Sequence, residues 1–178
     1  MLHQSPEAYD LIKNLRVVRR YEARSLSDSD ERAILEAGRW TGSSKNTQNW
    51  RFVVVRDAET KARLAECGAF AGLLAGAATV IVPVQLPDGY EFDIGRVSQN
   101  MMLAAAALGV GSCPTTMYEL DKVREILGVP EDHVPRYALA FGYPDVSGEQ
   151  VARKGAKAAG LSGRLPFDEV VMIGKFRD

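Results

Sequence analysis

The sequence predicts an α+β fold in three layers, a sheet flanked by helices, within one domain spanning residues 1–178. Three observations support it. Short β-branched runs interleave with helical periodicities, without the strict strand–helix–strand rhythm of a doubly wound sheet. Residues 93–108, with Met101, Met102, Leu103 and four consecutive alanines, are apolar nearly all round, which suits a buried central helix. Gly109 and Gly111 follow a helix and lack a third glycine at dinucleotide spacing, so they do not form a Rossmann nucleotide loop.

Ser5-Pro6-Glu7 starts the first helix with a capping hydroxyl, a proline at the first helical position and a carboxylate at the positive end. Ala8, Leu11, Ile12, Leu15 and Val18 repeat at helical spacing and carry this helix into an arginine run at 16–21. A second helix begins near Ser27, with Asp28 and Asp30 in its first turn and Ala33, Ile34 and Ala37 as its stripe. Residues 52–55 read as a buried strand, and 59–66 as a helix with Lys61 and Arg63 on its polar side. Residues 77–84 form a second strand, and Pro83 places its end near a sheet edge. The turn Leu86-Pro87-Asp88-Gly89 precedes the long apolar helix, which Gly109 ends. Residues 120–127 make a short amphipathic helix stopped by Gly128 and Pro130; 137–141 form a buried strand ended by Gly142-Tyr143-Pro144. The Gly-, Ala- and Lys-rich stretch 147–163 reads as a mobile loop, and 166–176 as a short ordered tail.

Composition excludes several classes of function. A formal charge of -1 leaves no electrostatic footprint for nucleic acid or an anionic membrane. Cys67 and Cys113 make neither a disulfide framework nor a metal spacing, which fits a reducing compartment. The N-terminus lacks the apolar core of a signal peptide, and no apolar run approaches the roughly 20 residues that span a bilayer. The expectation is a soluble, cytoplasmic protein acting on a small molecule. His3 and His133 have no partners at ligand spacing and read as surface residues. There is no triad, carboxylate dyad or metal motif.

The densest polar signal is Thr41-Gly42-Ser43-Ser44-Lys45-Asn46-Thr47-Gln48-Asn49-Trp50, a loop delivered directly onto the strand at 52–55. Its hydroxyls and amides offer neutral donors and acceptors to a polar ligand; alone, it reads equally well as a solvated turn. Trp50 reads as a core anchor for the loop. Arg16 and Arg19, three apart, read either as solvated charges complementing the helix dipole or as a phosphate clamp. Downstream lie Ser98-Gln99-Asn100 on the apolar helix and then Gly109-Val110-Gly111-Ser112-Cys113-Pro114.

In this order and at these spacings, the chain resembles the nitroreductase family of FMN enzymes from about Leu11 to Gly174. That family has an Arg-x-x-Arg-x-aromatic segment, a Ser-Ser-x-Asn-x-Gln-x-Trp loop, a Gln-Asn helix and a Gly-x-Gly-Ser segment. The resemblance implies a nitroreductase-like fold with a mostly antiparallel central sheet. It also implies a homodimer with FMN at the interface, and NAD(P)H as reductant. Arg16 would face the FMN phosphate, with Val17 beside it. Arg19 would face the N1–C2 carbonyl pole of the ring, where a cation stabilises the anionic reduced flavin. Ser43, Ser44, Asn46 and Gln48 would contact the ribityl chain and ring across the interface. Pro114, Thr115 and Thr116 would lie against the ring, with a backbone N–H near N5. Arg164 would bind the phosphate, with Lys154 and Lys157 able to assist. The implied activity is ping-pong hydride transfer from NAD(P)H through flavin to an electron-poor acceptor such as a nitroaromatic or quinone, with no catalytic side chain of its own.

The chain departs from the family in four places. Leu15-Arg16-Val17 lacks a basic residue and a hydroxyl that many members carry, and 69–78 offers no polar side chain to the pyrimidine edge. Thr116 stands where relatives often have Glu. These losses keep other readings open: a flavin-binding protein without turnover, for sensing or storage; a dehalogenase-like or flavin-consuming relative; or a scaffold that has lost flavin. The short connection between 85 and 93 also lacks the helical insertion that roofs the flavin in many relatives. An open ring face lined by Tyr90, Phe92, Trp40 or Tyr118 from either subunit is the expectation.

Overall fold

The computed structural model describes residues 5–158, 160 and 163–176. It divides into two compact units, Met1–Asp145 and Val146–Asp178. The first unit holds a four-stranded antiparallel sheet in the order β1-β2-β4-β3, from β1 (Trp50–Val55), β2 (Thr79–Gln85), β3 (Gly111–Thr116) and β4 (Tyr137–Gly142). Its helices are α1 (Pro6–Asn14), α2 (Asp28–Arg39), α3 (Ala58–Ala65), α4 (Glu91–Ala107) and α5 (Leu120–Leu127). The fold is α+β in three layers, as the sequence predicts.

Strand alternation divides the core between the two sheet faces. Val80, Val82, Val84, Ala138 and Ala140 pack with Leu64 of α3, Val123 of α5, and Ala71 and Leu74 of a 3-10 helix at Ala71–Gly76. Ile81, Leu139 and Phe141 pack on the other face with Ile34 of α2 and Ile94, Val97, Met101 and Ala105 of α4. Trp50 joins that second cluster and is 5% exposed, so it anchors the loop before it, as expected. Helix α4 buries one face rather than all of its surface: Phe92, Gly95, Arg96, Gln99 and Asn100 are exposed in the single chain.

Local signals set most helix starts. Ser5 Oγ accepts from Ala8 N at 3.3 Å, Ser27 Oγ from Asp30 N at 3.1 Å, and Asp57 Oδ1 from Thr60 N at 2.7 Å. Gly128 closes α5 at φ 64, the left-handed cap that glycine adopts freely.

Five further sequence expectations are corrected. Helix α1 stops at Asn14, so Arg16 and Arg19 do not share a helix face. Residues 15–20 run extended, because Val18 N donates to Ser112 O (2.9 Å) and Tyr21 bridges to Pro144. Residues 111–116, to which the sequence reading assigns no element, form β3, since β4 supplies a full antiparallel partner. Within 147–163, where residues 159, 161 and 162 lie outside the described residues, the mobile loop is replaced by a helix, α6 (Val146–Ala158). Helix formers such as Glu149, Gln150, Lys154 and Lys157 outweigh Gly148 and Gly155, each of which costs only about 1 kcal/mol in a helix. A last short helix, α7 (Phe167–Val170), lies in the ordered tail.

Lys61 is not on a polar face. It is 7% exposed and its Nζ donates to Ala77 O at 2.5 Å and to Ala78 O at 3.4 Å. Burial pushes its pKa below the usual lysine range, with Asp57 acting in the opposite direction. The fifth correction concerns Pro83. β2 is internal to the sheet, but its ladder with β4 covers only Thr79, Val80 and Ile81. Pro83 therefore sits beyond that ladder, where no β4 partner needs its missing N–H. His133 is half-buried, with Nδ1 2.7 Å from Asp132 Oδ1; His3 lies outside the described residues.

Gly68 is a packing constraint. A Cβ there would lie 2.4 Å from the backbone oxygen of Thr116. Gly68→Ala should lower stability by about 1–3 kcal/mol, because a backbone atom cannot swing aside. Gly72 has open space around its Cα, and Gly72→Ala should leave stability unchanged or raise it by up to about 1 kcal/mol. Urea midpoints at constant slope compare the two.

Candidate functional site

One cavity of about 260 Å³ opens on the first unit, along the edge strand β3. Its floor is Cys113, Pro114, Thr115 and Thr116, its apolar wall is Phe70, Leu73 and Tyr118, and Arg19 contributes the cation. Being last in the sheet, β3 leaves one backbone edge without a strand partner among the described residues. Such an edge offers N–H and C=O groups to whatever lies beside it. Proline at position 114 removes one donor and blunts the edge against strand addition.

Each wall is tied to the floor. Tyr118 N and Glu119 N both donate to Cys67 O, at 2.8 and 3.2 Å, which fastens the chain leaving β3 to the end of α3. Gly68 then passes against the Thr116 carbonyl, and Phe70 stands two residues further on. Phe70 is 84% exposed and Tyr118 60%, a large apolar exposure for two aromatics lining one groove. Cys67 is a packed residue, fully buried with its Sγ donating to Arg63 O at 3.4 Å, and burial raises its thiol pKa above the ordinary value.

The arginine run reaches the groove by lying across the sheet end. Val18 N donates to Ser112 O (2.9 Å), Asp145 N to Arg20 O (3.0 Å) and Glu22 N to Tyr143 O (2.9 Å). Tyr21 hydroxyl donates to Val18 O at 2.6 Å. Arg19 is the residue between the two pinned peptides. Arg16 lies outside the groove, and its Nη1 donates to Lys13 O (2.9 Å) and Leu15 O (2.8 Å). Val17 is half-buried and does not line the groove.

The polar loop sits elsewhere on the first unit. Ser44–Asn46 is a 3-10 turn, and Lys45, Asn46 and Gln48 take φ values of 51, 55 and 52. Non-glycine residues in that region cost about 1–3 kcal/mol each and need support from their surroundings. Ser43 Oγ accepts from Gln48 N at 2.9 Å, Gln48 Nε2 donates to Asn46 O and Oδ1 at 3.3 and 3.2 Å, and Trp50 N donates to Gln48 O at 2.8 Å. Buried Thr41 accepts from Asn100 Nδ2 at 2.8 Å, which fixes the loop's entry on α4. Ser43, Ser44, Asn46 and Gln48 do not line the groove of their own chain.

The structure thus brings together Arg19, Pro114, Thr115 and Thr116 from the expected set, and not Arg16, Val17 or the loop. Arg164 belongs to the second unit, where its Nη1 donates to Gly163 O at 2.7 Å. Lys154 and Lys157 are exposed on α6. Sequence reasoning missed Phe70 and Leu73; the available signal was a phenylalanine inside a Gly/Ala-rich connection rather than in any periodic stripe. Of the expected aromatic lining, Tyr118 is in this groove, while Trp40, Tyr90 and Phe92 are exposed outside it.

Two polar ties hold the sheet behind the groove. Glu31 of α2, 8% exposed, accepts from Arg56 and from Thr79 Oγ1 (2.9 Å), and this ion pair raises the Arg56 pKa further. Tyr137, the register partner of Thr116, donates its hydroxyl to Glu91 in the first turn of α4. That bond, with burial, raises the Tyr137 pKa above its ordinary value.

A sheet of this order with helices on both faces, a long helix against it and a groove at the edge strand defines a nitroreductase-type fold. The chain matches the Nitroreductase family over residues 12–75 and 69–143, and belongs to that family. It is an oxidoreductase by that membership. It is 34% identical over 149 residues to a protein of Archaeoglobus fulgidus named "Putative NADH dehydrogenase/NAD(P)H nitroreductase", covering 78% of this chain and 86% of the relative. A Vibrio harveyi NADPH-flavin oxidoreductase is 27% identical over 183 residues, 92% of this chain and 72% of its own. Among solved structures, a Desulfovibrio desulfuricans protein in complex with FMN superposes with a TM-score of 0.77 at 27% identity, covering 98% of this chain and 100% of that one. Nitroreductase A of Vibrio parahaemolyticus, at 22% identity and TM-score 0.82 over 98% of this chain and 78% of its own, shares the fold. Among the described residues, no helix is long and apolar enough to cross a membrane.

The Tyr137–Glu91 bond gives a pH-dependent prediction. Because the folded-state pKa of Tyr137 is raised, its stabilisation is full below the unfolded value and is lost as pH rises through the folded one. Tyr137→Phe should cost about 1 kcal/mol at neutral pH, a modest figure for a partly exposed bond. Its stability should then fall less steeply than that of the parent between about pH 9 and 12. Parallel alkaline titrations in urea compare the slopes.

Proposed function

We propose that the protein is an FMN-dependent oxidoreductase that takes reducing equivalents from NAD(P)H and delivers them, in ping-pong fashion, to an electron-poor acceptor such as a nitroaromatic or quinone. The observation that carries this is the convergence of Arg19, an edge-strand floor and an aromatic wall on one groove. FMN, the family's cofactor, would supply the hydride chemistry when bound, by accepting a hydride and passing it on. The residues present fit that group. The wall of Phe70, Leu73 and Tyr118 suits a ring system, the Arg19 guanidinium suits its electron-rich pole, and the Thr115 and Thr116 segment offers polar contacts beside it.

The protein's own part is to bind, orient and exclude water. Arg19 places a fixed positive charge at the groove and favours the reduced, negatively charged cofactor electrostatically. Phe70, Leu73 and Tyr118 remove water from one wall. At about 260 Å³, the groove falls below the roughly 300–1,000 Å³ that enclose a whole ligand of this size, which supports a site shared between two chains. A homodimer would supply Ser43, Ser44, Asn46 and Gln48 from the second copy, and Trp40, Tyr90 and Phe92 are exposed apolar surface for such an interface. On the family resemblance, Arg16 with Val17 would serve the phosphate end, and Arg164 is assigned the same role.

The purified protein should be yellow, with a flavin band near about 450 nm that bleaches on adding NAD(P)H and returns with a quinone. Colourless protein that takes up no FMN would sink the reading, and a band that NAD(P)H leaves untouched would favour binding without turnover. Arg19→Ala should weaken FMN by about 1.5–3 kcal/mol, and Arg164→Ala by a similar amount, in dialysis against FMN.

Selectivity should be low. The connection between β2 and α4 is a tight turn, with Gly89 N donating to Leu86 O at 2.9 Å. The groove is open, and its wall of Phe70, Leu73 and Tyr118 adds no buried polar group that would penalise a wrong acceptor. Across about ten quinones and nitroaromatics, kcat/KM should spread over no more than about two orders of magnitude. A single acceptor preferred by about four orders would contradict the open-slot argument.

A further inference from the structure

Gly111 opens β3, Gly142 closes β4, and the two are register partners at the sheet end. A Cβ on Gly111 would fall 2.7 Å from Val18 Cβ, 2.8 Å from its Cγ1 and 2.9 Å from its Cγ2. A Cβ on Gly142 would fall 2.8 Å from Tyr21 Cδ1, 2.9 Å from its Cγ and 3.0 Å from its Cβ. Neither glycine has a positive φ, so these positions use the missing side chain and not the backbone freedom of glycine. Two adjacent strands thus present a bare patch into which Val18 and Tyr21 settle.

The seat fixes what lies between them. The Val18 N–H is held by Ser112 O and the Arg20 carbonyl by Asp145 N. The Tyr21 hydroxyl closes on Val18 O. The peptide before Arg19 is held through the Val18 carbonyl, and the Val18 N–H and the Arg20 carbonyl are held one residue out on either side, so the side chain emerges at the groove from a backbone with little freedom.

We propose that Gly111 and Gly142 are positioning residues for the reaction: their paired bare backbone seats Val18 and Tyr21, and so holds Arg19 at the groove. This rests on the reading of Arg19 as a flavin contact. Adding a methyl group at either glycine lifts the segment off the sheet and withdraws the charge without altering any group in the groove.

The test is a double-mutant cycle on the FMN-loaded protein, reading FMN affinity by fluorescence titration and the flavin midpoint potential by dye equilibration. Arg19→Gln should weaken FMN by about tenfold or more and make the potential more negative. Gly111→Ala should move both readouts in the same direction by at least about fivefold in affinity, and adding it to Arg19→Gln should change affinity by less than about twofold further. Val18→Ala, which adds no atoms and loosens the seat from the opposite side, should show the same non-additivity; it serves where Gly111→Ala fails to fold. Wild-type affinity and potential in Gly111→Ala or Val18→Ala, or effects that multiply fully with Arg19→Gln, would overturn the positioning role while leaving the flavin reading intact. An Arg19→Gln variant indistinguishable from the parent would instead remove the flavin contact, and the proposal with it.

Discussion

Where the last two strands of the sheet meet at Gly111 and Gly142, the crossing segment lies in van der Waals contact with bare backbone, and that close approach decides where the arginine run goes. A helix continuing from α1 would carry Arg16 and Arg19 on one face, by its spacing alone. The contacts of Val18 and Tyr21 with the sheet, and the hydrogen bonds to Ser112, Tyr143 and Asp145, outweigh that local preference. Propensity differences amount to tenths of a kcal/mol per residue, while a buried valine side chain is worth about 1.5–3 kcal/mol. One of the two arginines then reaches the groove and the other stays outside it.

The groove exists because β3 is an edge. A partner strand on its open side would consume the backbone groups that a ligand could use, and Pro114 discourages such pairing. The wall opposite depends on Gly68, whose close approach to the Thr116 carbonyl brings Phe70 and Leu73 to the same opening as Tyr118. Steric permission at three glycines, 68, 111 and 142, thus shapes a site whose chemistry lies in other residues. The sheet beneath is tied to its helices by the Glu31–Arg56–Thr79 cluster and by Tyr137 on Glu91, so the floor has polar anchors at both ends.

The loop at 43–48 shows a different constraint. Three left-handed non-glycine residues in four positions are costly, and are held by Ser43, by the side chain of Gln48 and by the burial of Trp50 beneath them. The loop keeps its strained shape through these contacts, and its residues do not line the groove of their own chain.

The pattern of residues alone specified the layers, the helix starts at Ser5 and Ser27, the helix over 59–66, the strands around 52, 80 and 139, and the family, because caps, periodicities and short motifs are local signals. It also pointed to Arg19, Pro114, Thr115 and Thr116, through the order and spacing of their segments. Tertiary structure decided the rest. The course of residues 15–20, the strand at 111–116 and the burial of Lys61 depend on distant backbone partners, which periodicity does not encode. The helix at Val146–Ala158 was hidden by its glycines. Phe70 and Leu73 became part of the site only when Gly68 let their segment approach β3, a contact between residues almost fifty positions apart that leaves no periodic trace in the chain.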